Sequence, residues 1–187
     1  MSQNIMVVDA ALAHTGVAIL TPYGKILNIK CINTEKDLTK RKVRACDDLA
    51  DRAKYIFNEL VATAKDNDVA VIAAELPSGG SKSLVAGRAM GMAIAILACV
   101  VEATKLPNIW VTPSEGKKAL GGKRNASKAD IQKAAFIAHP ELTKLVPTNK
   151  QGKYPSWIEH VCDALAVWEV VKNDPIIRVI KNQPCKL

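Results

Sequence analysis

Apolar residues fall along this chain in short runs of strand length separated by longer stretches with helical spacing. Asn4 to Asp9, Thr15 to Leu20 and Lys25 to Ile32 are three such runs, with Pro22-Tyr23-Gly24 as a turn between the last two. Three runs joined this tightly predict an antiparallel meander. From Leu38 to Lys65, Val43, Cys46, Leu49, Ala53, Ile56, Leu60 and Ala64 recur at helical spacing. Lys40, Arg41, Lys42, Arg44, Asp47, Asp51 and Arg52 take the opposite face, so this helix is amphipathic. Val69 to Glu75 is continuously apolar, as a central strand covered on both faces must be. A loop from Pro77 to Lys82 leads into a helix from Ser83 to Thr104, then a short strand from Asn108 to Thr112. Thr112-Pro113-Ser114-Glu115 has the form of a capping box with Pro at N1, opening a helix to Leu120 that Gly121-Gly122 ends. Ser127 caps a helix to Ala138, residues 147–155 form a polar loop, and the last helix runs from Ser156 to Lys172. Its opening, Ser156-Trp157-Ile158-Glu159, reads as a second capping box. Strands and helices alternating around a mixed sheet predict an α/β fold, with residues 1–187 forming one domain.

Composition narrows the class. With 187 residues, 49% hydrophobic and 24% charged, the chain has enough apolar material for a core, which excludes intrinsic disorder. Its net charge of +8 favours a polyanionic partner, of which nucleic acid is the commonest. Aromatic residues make up only 4%, which argues against serial stacking of unpaired bases along a groove. Five cysteines without CxxC spacing read as reduced thiols, neither a disulfide framework nor a zinc site. No basic segment precedes the first apolar run, and Ala89 to Val101, the longest uncharged apolar stretch, is shorter than the ~20 residues that cross a bilayer. These features predict a cytoplasmic protein with no membrane partner.

Two carboxylates stand where an acid is costly unless used. Asp9 ends the first strand and Glu75 ends the buried fourth. Ligands of open α/β sheets gather at the carboxyl ends of strands, and hard cations want clustered oxygens. His160 and Asp163, three residues apart, project from one face of the last helix, while Trp157, Val161, Leu165 and Trp168 form its packing face. Each has an ordinary reading when taken alone: an acid opening a turn, or a buried His/Asp pair. Glu159 reads as the cap of its own helix, and His14 and His139 read as loop residues. Lys117, Lys118, Lys123, Arg124 and Lys128 crowd a twelve-residue stretch, either as solvated surface or as a contact for a polyanion. The Ala- and Gly-rich helix after Ser83 is apolar on most of its circumference and must be covered on all sides, by its own subunit or by another.

These residues together carry a resemblance. Val8-Asp9, Thr15-Gly16 on the next strand, Ala74-Glu75, Ala86-Gly87-Arg88-Ala89-Met90-Gly91 opening a helix, Lys117 and Gly121, Ala126-Ser127-Lys128 and Asp163-Ala164-Leu165-Ala166 occur in that order nearly end to end. In this the chain resembles the RuvC-type Holliday-junction resolvases of the ribonuclease H-like nuclease superfamily. The resemblance implies a three-layer fold, a mixed five-stranded sheet with helices on both faces. It also implies metal-dependent, paired phosphodiester hydrolysis of four-way DNA junctions. The implied metal-binding and catalytic residues are Asp9, Glu75, His160 and Asp163, holding two Mg²⁺ ions, with Mn²⁺ favoured where imidazole is a ligand. Glu159 is an alternative ligand to His160. The implied DNA-binding set is Lys82, Arg88, Lys117, Lys118, Lys123, Arg124 and Lys128, with Lys117 and Lys128 on backbone phosphates beside the site. The helix after Ser83 is implied as the seam of a homodimer. One departure stands out: the loop after the fourth strand, which usually carries an aromatic probe of the junction centre, has none here. Three further readings remain: a ribonuclease H-like nuclease of broader branched-DNA or RNA-containing substrates, a non-catalytic junction-binding protein, and an actin-like ATPase, for which the chain is short.

Overall fold

The computed structural model describes residues 3–36, 44–78 and 83–182. Its five strands are β1 (Asn4–Asp9), β2 (His14–Leu20), β3 (Ile26–Asn33), β4 (Val69–Glu75) and β5 (Asn108–Val111), in the spatial order β3-β2-β1-β4-β5. The first three form the expected antiparallel meander, and β4 and β5 add in parallel. Helices α1 (Ala45–Asp66) and α2 (Leu84–Thr104) lie on one face of this mixed sheet. The other face carries α3 (Pro113–Gly121), α4 (Lys128–Ala138), α5 (Leu142–Leu145), α6 (Ile158–Val171) and α7 (Pro175–Asn182).

Strand alternation divides the interior into two cores. Met6 and Val8 of β1 and Ile72 and Ala74 of β4 point to α1 and α2, meeting Ile56, Leu60, Ile96 and Val100. Ile5 and Val7 of β1, Ala18 and Leu20 of β2, and Val71 and Ala73 of β4 point the other way, onto Val161, Leu165 and Trp168 of α6. Helix α6 is therefore the buried spine of the second layer, apolar on nearly every side.

One glycine fixes how close that spine lies. Gly16 of β2 faces α6, and a Cβ placed on it would sit 2.0 Å from the carbonyl oxygen of His160 and 2.9 Å from the amide nitrogen of Val161. Backbone meets backbone here, so no side chain can be accommodated by a rotamer change.

The expected elements form, with four differences. Arg44 has extended backbone and α1 begins at Ala45; the earlier part of that predicted helix, with Lys40, Arg41 and Lys42, lies outside the described residues. The second capping box does not form. Trp157 is the N-cap of α6, without a side-chain cap bond, because Glu159 is engaged elsewhere. The chain has one more long helix than expected: Asp174 accepts from the amide of Ile176 at 2.8 Å, with Pro175 at the first position of α7, and Ile177 and Ile180 bury. His139 lies between helices, as expected, at the C-cap of α4, but it is buried, with Nε2 3.5 Å from Glu169 and Nδ1 4.0 Å from Glu141.

The Gly16→Ala variant should lose about 3 kcal/mol of stability, the upper end of ordinary overpacking, because its obstacle is backbone. Thermal unfolding should record this as a fall in Tm of roughly 6–12 °C.

Candidate active site

Register brings the strand-end acids together. Asp9 follows Ile5 and Val7 onto the α6 face, and Glu75 follows Val71 and Ala73 onto the same face. Asp9 is paired with Glu75 across the parallel β1–β4 ladder and with Gly16 across the antiparallel β1–β2 ladder. The turn after Asp9 is held from the other layer. Arg52 of α1 donates to the Leu12 carbonyl at 3.2 Å and to Thr34 Oγ1 at 2.9 Å, and Thr15 Oγ1 donates to the Ala11 carbonyl at 2.8 Å. Arg52, placed by its spacing on the solvated face of its helix, is thus largely buried.

The close approach at Gly16 sets the first turn of α6 over Asp9. Asp9, His160 and Asp163 each offer one ligand atom, and these atoms lie within 4.8 Å of one another. His160 Nδ1 is 3.6 Å from Asp9 Oδ2, and its Nε2 is 3.5 Å from Glu159 Oε1. Glu75 stands outside that trio and, with Asp163, Lys117 and Lys128, lines an adjoining cavity of about 180 Å³. Gly116 of α3 roofs it: a Cβ there would sit 3.6 Å from Glu75 Oε2 and 3.4 Å from Ala166 Cβ.

Like charges in a partly buried site hold protons. Burial first, then the charges of Asp9 and Asp163, push the Glu75 carboxyl up to about 8, with Lys117 pulling the other way. Burial and Asp9 push Asp163 up to about 6, against Lys128 and His160. The Asp9 carboxylate holds the His160 imidazole above its ordinary value. The cationic side is supplied by Lys128, which donates to Glu159 Oε1 at 2.9 Å; this bond raises the lysine and lowers the glutamate.

Of the predicted phosphate contacts, Lys117 and Lys128 border the acids, whereas Lys118, Lys123 and Arg124 are exposed on α3 and the turn after it, Lys123 3.7 Å from Asp130. Arg88 is exposed on α2, in the opposite layer, and Lys82 lies outside the described residues. Sequence reasoning missed His14. Its ring stacks on His160 with centroids 5.0 Å apart and planes 21° from parallel, and its Nδ1 is 2.9 Å from Asn33 Oδ1. No local motif announces a pair 146 positions apart; only the β2–α6 approach creates it.

No family model matches the chain, and no curated protein sequence matches it. Solved structures do. Thermus thermophilus RuvC in complex with a Holliday-junction substrate superposes with a TM-score of 0.66 at 16% identity, covering 90% of this chain and 92% of that one. A second Thermus thermophilus RuvC structure gives 0.64 at 17% identity, covering 89% and 92%. The yeast mitochondrial Holliday junction resolvase Ydc2 gives 0.62 at 15% identity, covering 96% and 81%. The fold is that of RuvC. This RuvC-like, ribonuclease H-like architecture is the three-layer α/β fold that the resemblance implied, with its five-stranded mixed sheet.

Three groups in the site keep protons that the unfolded chain would release, so the sign of the pH effect is the same for each. In Glu75 and Asp163 the folded carboxyl binds its proton more tightly than at the ordinary values of 4.5 and 3.8, and His160 is shifted the same way. Without divalent ions, stability should therefore fall as pH rises from about 4 to about 8, the interval between unfolded and folded values. Glu75→Gln should remove the later part of the fall. Thermal unfolding in EDTA across that range checks both, with the variant gaining on the parent as pH rises.

Proposed function

We propose that the protein is a structure-selective DNA endonuclease that resolves four-way junctions by metal-dependent hydrolysis of phosphodiester bonds. The observation that carries this reading is the convergence of Asp9, His160 and Asp163, with Glu75 beside them, at the carboxyl end of a RuvC-like sheet. The solved relative that superposes at 0.66 holds a Holliday junction.

The donor set fits divalent ions. Three carboxylates and an imidazole suit Mg²⁺ or Mn²⁺, the imidazole favouring Mn²⁺. Burial first, and the neighbouring carboxylates after it, raise Glu75 and Asp163, and a bound cation would offset both. Asp9, His160 and Asp163 would hold a divalent ion, with Glu75 beside them as a further oxygen ligand. Bound ions would generate the attacking hydroxide and stabilise the leaving 3′ oxygen. The chain's own groups do the rest. Lys117 and Lys128 at the rim draw the phosphate to the acids. Glu159 holds the Lys128 ammonium at the mouth and also faces His160, so it orients both rather than capping α6. His14 and Asp9 fix the His160 ring from two sides.

Resolving a four-way junction takes two symmetric nicks, which a two-fold dimer supplies. We assign the dimer seam to α2. Ala93, Ile96, Leu97 and Val100 pack it on its own subunit, while Leu84, Val85 and Ile94 face outward at 72%, 76% and 38% exposure. A groove of about 390 Å³ between α1 and α2, walled by Phe57, Met92, Ala95 and Ile96, continues this apolar surface. The helix has the length and apolarity of a membrane span, but its inner side is committed to the sheet layer.

Asp9→Asn should abolish nicking of a synthetic immobile junction in Mg²⁺ or Mn²⁺ and leave junction binding within about twofold of the parent. Appreciable cleavage by that variant removes Asp9 from the metal site. Lys117→Ala and Lys128→Ala should weaken binding alike at every sequence. Each should flatten the salt dependence by about 0.9 log units per log unit of salt, as loss of one phosphate contact requires; gel-shift titrations at several salt concentrations measure this.

A further inference from the structure

A groove on the outer side of α4 has a chemistry that the cleavage site does not use. It encloses about 510 Å³ between α4, α5 and the loop before α6. Gln132, Lys133, Phe136, Ile137 and Tyr154 line it. The Phe136 and Tyr154 rings meet with centroids 4.4 Å apart and planes 33° apart, and Ile137 stands at the rim, 70% exposed. The loop carrying Tyr154 is closed on itself: Asn149 Oδ1 accepts from the amides of Gln151 and Lys153, each at 2.9 Å, and the Asn149 amide donates to the Lys153 carbonyl at 2.9 Å. Tyr154 is therefore presented by a preorganised turn.

Position ties this groove to the site. Lys128, Gln132 and Phe136 are spaced four apart and share one stripe of α4. Eight residues of helix rise ~12 Å, roughly three to four base steps of duplex at ~3.4 Å each. The stripe starts at the lysine that borders the acids and ends at the aromatic pair.

We propose that this groove is a slot for one unpaired nucleobase of the branched DNA whose backbone lies at Lys128; the proposal rests on the nuclease reading of the adjoining site. The ring faces and Ile137 suit a base plane, the Gln132 amide suits a base edge, and the Lys133 ammonium suits the attached phosphate. Charge selects this occupant over an apolar peptide, because the rim carries lysine and the whole chain is at +8. The low aromatic content excludes serial stacking but not a single slot, which needs only the pair already present.

The test uses the full chain in EDTA, so that nothing is cut, with three probes: a single-stranded oligonucleotide, a linear duplex and a synthetic four-way junction. Tyr154→Leu should weaken single-strand and junction binding about tenfold, Ile137→Gln about fivefold, and Tyr154→Phe less than twofold, with duplex affinity unchanged in all three. A 2-aminopurine placed at successive positions within four nucleotides of the branch should change its fluorescence at one position in the parent and lose that change in Tyr154→Leu. Equal losses on duplex and single strand, unchanged single-strand binding by Ile137→Gln, or Tyr154→Phe as weak as Tyr154→Leu would each overturn the slot. Ile137 is exposed, so its variant reports even where Tyr154→Leu misfolds. A parent that binds junction no better than duplex sinks the nuclease reading alone, since selective loss of single-strand binding in the variants still upholds the slot.

Discussion

The fold depends on a contact that a single methyl group would forbid. Gly16 allows the backbone of α6 to rest on the backbone of β2, and everything at the carboxyl end of the sheet follows from that separation. Asp9 sits beside Gly16 in the ladder, so lowering the helix onto the glycine also lowers His160 and Asp163 onto Asp9. Ala164 and Ala166 are buried on the same helix, and α3 packs on it with Gly116 at contact distance of Ala166 and Glu75. Packing and chemistry are the same arrangement here.

That arrangement works against stability in one respect. Acids gathered in a partly buried space repel one another, and Glu75 and Asp163 answer by keeping protons. Among the described residues Lys117 and Lys128 line the same cavity as Glu75 and Asp163, and Lys128 is partly spent on Glu159. The rest of the molecule absorbs the strain through two well-filled cores, and Arg52 reaches from α1 to pin the turn that follows Asp9.

Much of this was legible in the chain before any coordinates. Strand runs and the caps at Thr112 and Ser127 gave the elements closely, because they are local signals. The acids at strand ends were legible because an acid closing an apolar run has few other uses. Glu159 misled, since its spacing from Ser156 matches a cap, while its partner, Lys128, lies 31 positions away. His14 was invisible for the same reason, its neighbour being brought by tertiary packing. The helix after Asp174-Pro175 has local signals too, an N-cap acid and a proline at N1, but at eight residues it is too short for apolar periodicity to stand out.

The layering described above separates two jobs. The acids open on the α6 side of the sheet, while the bare apolar flank of α2 lies in the layer behind it. The five-stranded sheet stands between them, so whatever settles on that flank leaves the opening to the acids uncovered. Sequence drift on either wall then meets little resistance from the other, and the two surfaces are free to diverge at independent rates.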